Sequence, residues 1–410
     1  MEEISFKGET LSERARRNLA ILEAIRRNGP LSKTDISKLV GLNVTTISNY
    51  VGDFLRKRIV FEKELDESAG GRRPLLLDIN PEAGVAIGVG LNLLNIVGVL
   101  IDLDGRILVR VKRERTSTGV KEIVGLLTEI ISEIIKRAKD DKSKIKGLGV
   151  GIAGIIDKKG ETVRWPEKVG KSGCVYASTF LPLRDILEKE FRIPAFIEND
   201  ATVACFGEQW LTLDYNIKNL IYMFSGVGCG IMIDGKIYRG TTGAAGEVSI
   251  HNPKQDTLFN CEFGQPCFLK RWEADLNLVE DAKNLINKGT KSKILELAEN
   301  DIEKITLREI FKAVRENDSL AKEMIISAGK RLGIKIAYLV NLLNPEMVII
   351  GGGLEEAGDI LFDTVRQTVN EWAFDEMSGN VKIIPSRLGE NSVALGAASL
   401  VIRNTFAKLL

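Results

Sequence analysis

The chain has 410 residues and a single histidine, His251, so any imidazole chemistry must use it. Its five cysteines, an odd number in so long a chain, argue against a disulfide framework. No apolar run approaches the ~18 residues that a membrane-spanning helix needs. The start, Met1-Glu2-Glu3-Ile4, lacks the basic-then-apolar layout of a secretion signal, and a cytoplasmic protein is the expectation. There is no excess of charge of one sign, since 57 Lys and Arg face 56 Asp and Glu. Any surface for nucleic acid must therefore be local. The first 75 residues hold 14 Lys and Arg against 11 Asp and Glu, an asymmetry too small to decide anything alone. Glutamine is confined to Gln209, Gln255, Gln265 and Gln367 while Lys, Glu and Ile abound, a bias seen in thermophilic proteins. The apolar and charged fractions are those of an ordinary globular protein, and the length allows two or three domains.

Residues 11–58 read as three helices. Leu19, Leu22 and Ile25 form the apolar stripe of the first, which Asn28-Gly29-Pro30 ends. Ser32 is placed to cap a second helix carrying Ile36, Leu39 and Val40 on its apolar side, and Gly41 breaks it. Asn43 is placed to cap a third, with Val44, Ile47, Val51, Phe54 and Leu55 expected inward. Two short β-type segments, 59–62 and 75–78, follow as a hairpin, with Gly70-Gly71-Arg72-Arg73-Pro74 near its tip. Helix, tight turn, helix and hairpin make a winged helix-turn-helix pattern. Thr45, Thr46, Ser48, Asn49 and Asp53 then face outward, short polar side chains suited to base edges and phosphates in a major groove. Asn49 is the best placed for a bidentate adenine contact, and Arg72 and Arg73 suit a minor groove or phosphate. A plain three-helix bundle with a solvated polar face is the bland alternative; helix lengths, turn, capping residue and basic wing agree better on double-stranded DNA.

From residue 84 the rhythm changes. Strand-like segments 84–91, 95–102 and 106–113, the last two joined by the turn signal Asp104-Gly105, precede a helix over 120–138 and a buried strand over 145–152. An echo follows in segments 220–224, 230–234 and 236–238, with Asp234-Gly235 as the second turn signal. The repetition predicts two related lobes facing one cleft. Residues 276–343 read as mostly helical, residues 347–350 as a strand running into Gly351-Gly352-Gly353, and a last helix starts near Ser392.

Several stretches, in order, resemble the ROK family of sugar kinases and repressors: Gly147-Leu148-Gly149-Val150-Gly151-Ile152-Ala153-Gly154, Glu198-Asn199-Asp200-Ala201, Gly243-Ala244-Ala245-Gly246-Glu247, Asn344-Pro345-Glu346 with Gly351-Gly352-Gly353, and Leu395-Gly396-Ala397-Ala398. The helix-turn-helix and residues 70–74 resemble the repressor branch, of the xylose-repressor and N-acetylglucosamine-repressor type. The resemblance spans about residues 17–402. It implies an α/β chain in which a winged helix-turn-helix (1–80) precedes a two-lobed actin/hexokinase-like, ribonuclease H-like duplicated domain. The expected lobes are 81–198 with 392–410, and 199–391. It also implies that Gly154, Asn199, Asp200, Glu247 and His251 bind a sugar, with Asp200 the proton acceptor if the chain were a kinase.

The sequence departs from the kinase pattern at both phosphate loops. Family kinases carry Asp-x-Gly-Gly-Thr where this chain has Gly90-Leu91-Asn92-Leu93-Leu94. They carry Gly-Thr-Gly-x-Gly-Gly-Gly where it has Phe224-Ser225-Gly226-Val227-Gly228-Cys229-Gly230. Leucines at a phosphate-facing turn offer neither donors nor room, so neither ATP binding nor catalysis is expected. The family's zinc motif is also incomplete. His251, Cys261 and Cys267 remain, Phe263 replaces a ligand, and Glu262 or water would have to complete the set of four. Leu269 stands where the family has a sugar-contacting glutamate, which points to altered sugar selectivity. Trp165 and Trp272 are candidate stacking platforms, more in keeping with ordinary core. The expectation is a homodimeric, sugar-responsive regulator, a repressor in type, on a palindromic operator. The rivals are a sugar kinase fused to a DNA-binding unit and a scaffold for a protein partner such as a sugar-transport component.

Overall fold

The computed structural model describes residues 11–63, 75–91, 95–114, 120–138, 142–157, 162–168, 175–214, 216–224, 228–248 and 278–409. The N-terminal unit comprises α1 (Glu13–Asn28), β1 (Leu31–Ser32), α2 (Lys33–Val40), α3 (Val44–Arg56), β2 (Val60–Lys63) and β3 (Leu76–Ile79). Both expected caps form. The Ser32 hydroxyl accepts from the Asp35 amide at 3.1 Å, and Asn43 Oδ1 accepts from the Thr46 amide at 2.7 Å. Each satisfies an amide that the first helical turn leaves without an intrahelical partner. Gly41, at φ 73°, stops α2 in the left-handed region and turns the chain into α3. The hairpin pairs Val60 with Ile79, and β1 adds a third strand that the sequence pattern did not foretell.

Two of the expected inward residues point out. Leu39 is 57% exposed and Val44 44% exposed, whereas Ile47, Val51 and Phe54 are fully buried. Val44 has the right phase on α3, but it is the first helical residue, and α2, on which it would pack, has already ended at Gly41.

The larger part continues with β4 (Val85–Leu91), β5 (Asn95–Asp102), β6 (Ile107–Glu114), α4 (Val120–Arg137), β7 (Ile145–Ile152), β8 (Ile155–Ile156), β9 (Val163–Lys168), β10 (Val175–Leu181), α5 (Leu183–Phe191), β11 (Ala195–Asn199) and α6 (Asp200–Leu211). After these come β12 (Leu220–Phe224), β13 (Gly228–Ile233), β14 (Lys236–Ile237), α7 (Leu278–Asn287), α8 (Lys293–Leu297), α9 (Leu307–Arg315), α10 (Ser319–Leu343), β15 (Met347–Gly351), α11 (Asp359–Trp372), α12 (Asp375–Ser378), β16 (Lys382–Pro385) and α13 (Ser392–Ala407).

The repeated strand pattern becomes two five-stranded sheets of one design. In the first, β4, β5 and β6 form an antiparallel meander, β7 joins parallel to β4, and β11 joins parallel to β7. In the second, β12, β13 and β14 form the meander, with β15 parallel to β12 and β16 parallel to β15. A small sheet, β10-β9-β8, hangs from the first lobe. Between the lobes α6 packs on α13. Their crossing is close because both contact residues are glycine: a Cβ on Gly207 would lie 2.7 Å from the Gly396 Cα. Glycines of the Gly147–Gly154 stretch serve the same purpose, since a side chain on Gly149 or Gly151 would run into Ala397 or Val393 of α13. One apolar cluster runs unbroken from Leu22 and Ile25 of α1 through Trp210 of α6 to Phe406 of α13. The N-terminal unit is thus seated on the large domain.

Candidate functional site

The DNA-facing set starts from α3. Thr45 and Asn49 are exposed, and Thr46 and Ser48 are half-buried. Asp53 leaves the set. Its carboxylate is paired with Arg14 of α1 at 3.3 Å and with Arg56, and an ion-paired acid beside the core is no partner for a phosphate. Arg72 and Arg73 lie outside the described residues.

The sugar-type residues converge at one end of the first sheet. Asn199 ends β11 and caps α6: its Oδ1 accepts from the Thr202 amide at 3.1 Å, and its Nδ2 donates to the Gly154 carbonyl at 3.2 Å. Gly154 needs its φ of 114° to present that carbonyl. Asp200 opens α6, is 8% exposed, and accepts from the Ala201 amide at 2.8 Å through Oδ1. The other lobe contributes the segment 238–247. Arg239 donates to Glu198 Oε2 at 2.9 Å, while Glu198 Oε1 accepts from the Asn199 amide at 3.0 Å. Glu198 and Arg239 were not singled out from the sequence. Glu198 sits inside a quoted motif, but its role as the link between lobes depends on an arginine 41 residues away. Glu247 bridges to Gly228 in strand fashion, and burial raises its carboxyl above the ordinary range. The same burial, with Glu247 nearby, pushes the Cys229 thiol up to about 12. A buried carboxyl group and an amide side chain in one cleft suit the donor and acceptor pattern of a sugar hydroxyl. His251, Cys261, Cys267 and Trp272 lie outside the described residues, and the Trp165 side chain is likewise undescribed. Among the described residues no group of three His, Cys, Asp or Glu side chains could hold a metal ion.

The phosphate side is built differently. Leu91 of the first altered loop and Asn95, just past it, are both buried, while Leu93 and Leu94 lie outside the described residues. Asn95 Oδ1 accepts from Arg308 of the second lobe at 2.8 Å, and its Nδ2 donates to Glu390 at 3.3 Å. Arg308 also pairs with Glu114, and Lys112 reaches Glu390 at 2.6 Å. Side chains thus bridge the lobes beside this loop. On the second sheet Phe224 is buried, with its ring centroid 6.4 Å from that of Tyr222, whose hydroxyl donates to Ser392 at 3.0 Å.

Residues 84–404 match the ROK family model, and residues 14–60 match a winged helix-turn-helix DNA-binding model. The chain belongs to the ROK family. A xylose repressor from Caldicellulosiruptor bescii is 31% identical to this ROK protein over 94% of each chain. The crystal structure of a ROK family transcriptional regulator, a homologue of the E. coli MLC protein, shares its fold with a TM-score of 0.73, at 22% identity over 97% of each chain. A ROK family glucokinase from Streptomyces griseus, solved with glucose and AMPPNP, gives a TM-score of 0.62 at 25% identity. That match covers 77% of this ROK protein and 99% of the kinase. The two-lobed sheet architecture behind a winged helix-turn-helix is therefore that of the family. Among the described residues no helix is long and apolar enough to cross a membrane.

Proposed function

We propose that this ROK protein is a sugar-responsive transcriptional repressor. It binds operator DNA through α3 and its wing, and takes its effector between the lobes at Gly154, Asn199, Asp200, Glu247 and His251. One observation carries the reading: a capped recognition helix with exposed Thr45 and Asn49 stands on a kinase-like domain whose first phosphate-loop flank is bridged by Arg308, Asn95 and Glu390. The site keeps sugar-binding residue types and loses phosphate-binding ones, so the bound sugar is a signal rather than a substrate. Two such chains on a palindromic operator would set their recognition helices about one DNA turn, roughly 34 Å, apart. A sugar with different affinities for two lobe arrangements would shift the population between them and change that spacing. His251, Cys261 and Cys267 supply three donors where a structural zinc site uses four. Glu262 or water would have to supply the fourth, and no step of the proposed effector response depends on a metal.

The test is a thermal-shift screen with D-xylose, D-glucose and N-acetyl-D-glucosamine, followed by binding to an operator selected from randomised DNA. A sugar that raises the melting temperature and changes operator affinity supports the reading. Operator affinity indifferent to every sugar that binds would sink it.

A further inference from the structure

We infer that α6 is the lever between the effector cleft and the DNA-binding unit, and that Arg26 and Arg27 of α1 are the positioning residues that grip its far end. The inference rests on the repressor reading above and assigns the residues through which its two halves communicate.

The two ends of α6 do different work. Its first turn is the sugar end, with Asn199 as cap and Asp200 as first helical residue. Its last turn is held by α1. Arg26 Nη2 donates to the Trp210 carbonyl at 2.7 Å, and its guanidinium carbon lies 3.8 Å from the centroid of the Trp210 ring. Arg27 donates to the Gln209 carbonyl at 3.2 Å, the Leu213 carbonyl at 3.3 Å and Gln209 Oε1 at 3.3 Å. Trp210 Nε1 donates in return to Glu23 at 3.3 Å. The last carbonyls of a helix lack intrahelical partners and carry the negative end of its dipole, so they attract cations. Here both cations come from another folding unit, about 180 residues earlier in the chain. Burial and the neighbouring Arg27 lower the Arg26 guanidinium to about 10, with Glu23 and Asp104 opposing, and it remains charged at neutral pH.

Between its ends α6 is stiff. All of Asp200–Trp210 is buried, and the glycine crossing locks the helix against α13. Twelve helical residues span about 18 Å, and a close-packed helix shifts as a body rather than bending. On the receiving side α1 makes two sets of contacts. Glu23, Arg26 and Arg27 hold α6, while Leu19, Leu22 and Ile25 share a buried cluster with Ile47, Val51 and Phe54 of the recognition helix. Arg14 of α1 pairs with Asp53 of α3 as well. Displacement of the sugar end of α6 therefore reaches α3 through one intermediate helix.

The experiment compares wild type with Arg26→Ala/Arg27→Ala, using D-xylose, D-glucose and N-acetyl-D-glucosamine as probes. In wild type, the sugar that binds should change operator affinity by about tenfold or more, within the usual range of allosteric coupling. In the double variant, sugar affinity and sugar-free operator binding should stay within about twofold, while the sugar-induced change falls below about twofold. Arg26→Lys/Arg27→Lys should recover part of the response, because lysine still donates to the carbonyls but cannot stack as a fork. A double variant that keeps the full response overturns the lever. Wild type that binds sugar with no change in operator affinity overturns the repressor reading itself. A sugar-free arm covers the case in which no probe binds: Asn199→Ala removes the cap at the sugar end. Hydrogen exchange should then quicken in Glu13–Asn28 and not in the control helix Asp359–Trp372. Unchanged protection of Glu13–Asn28 would also overturn the lever.

Discussion

A Cβ on Gly207 would stand 2.7 Å from the Cα of Gly396, so α6 and α13 touch backbone to backbone where they cross. A side chain on Gly396 would also overlap the Val203 carbonyl, which belongs to the rigid backbone of α6 and cannot swing aside. Gly396→Val should lower stability by about 1–3 kcal/mol, the range for overpacking a close-packed core. The denaturant midpoint measures it. An unchanged midpoint would mean that the helices can part without cost, and that α6 is not held as described.

Glu355 gives stability a dependence on pH. Burial raises its carboxyl from the usual 4.5 to about 7, despite its accepting from the Gly353 amide at 2.8 Å. The folded form therefore binds this proton between pH 4.5 and about 7 while the unfolded chain releases it. The contribution is fully present below 4.5 and is lost as pH rises through about 7. Wild type should lose on the order of 1–3 kcal/mol of stability from this group between pH 4.5 and pH 8. Glu355→Gln, neutral throughout, should show a flatter profile. Parallel profiles for the two proteins would rule this group out as the source.

Asn49 and the wing arginines should fail in different ways. Asn49→Ala removes an exposed amide from α3 and should cost about 1–3 kcal/mol at one operator position while leaving the salt dependence intact. Arg72→Ala/Arg73→Ala should weaken binding to all sequences and flatten the slope of log affinity against log salt. Competition titrations with single-base operator variants at several salt concentrations separate the two. An Asn49→Ala protein with unaltered base preferences takes Asn49 off the list of base readers.

The turnover assay follows from the altered phosphate loops. With Asp200 still in the cleft but Leu91 and Phe224 buried beside the loops, sugar-dependent ADP release should not exceed the sugar-free background. A coupled assay over the same sugar panel measures it. Turnover that disappears in Asp200→Ala would restore the kinase alternative.

Much of the fold is legible in the sequence. The strand at 145–152, the helix at 120–137 and the caps Ser32 and Asn43 follow from periodicity and local hydrogen bonding, which act within a few residues. The seating of α1 on α6 was not legible. Arg26 and Arg27 look like solvated residues of a last helical turn, and their partners lie about 180 residues away. The buried strand at 145–152 is legible, but not why it carries glycines: Gly149 and Gly151 make room for α13, a tertiary neighbour that no local pattern names. The pairing of Glu198 with Arg239 is not legible for the same reason, since it joins the two lobes.

Val44, one of the two expected core residues that point outward, offers a test of DNA reading. It is the first residue of α3, it is 44% exposed, and it adjoins exposed Thr45. The N-terminal residues of a recognition helix are the ones that meet base edges. The thymine C5-methyl is the apolar group that the major groove offers to an apolar side chain. Replacing single operator thymines by deoxyuridine deletes that methyl and nothing else. At one position the change should weaken wild-type binding about three- to fivefold, the worth of one buried methyl. Val44→Ala should bind thymine and deoxyuridine at that position within about twofold of each other, because the partner of the methyl is gone. If every deoxyuridine position costs the variant as much as wild type, Val44 is an exposed surface residue and the base contacts fall to Thr45 and Asn49 alone.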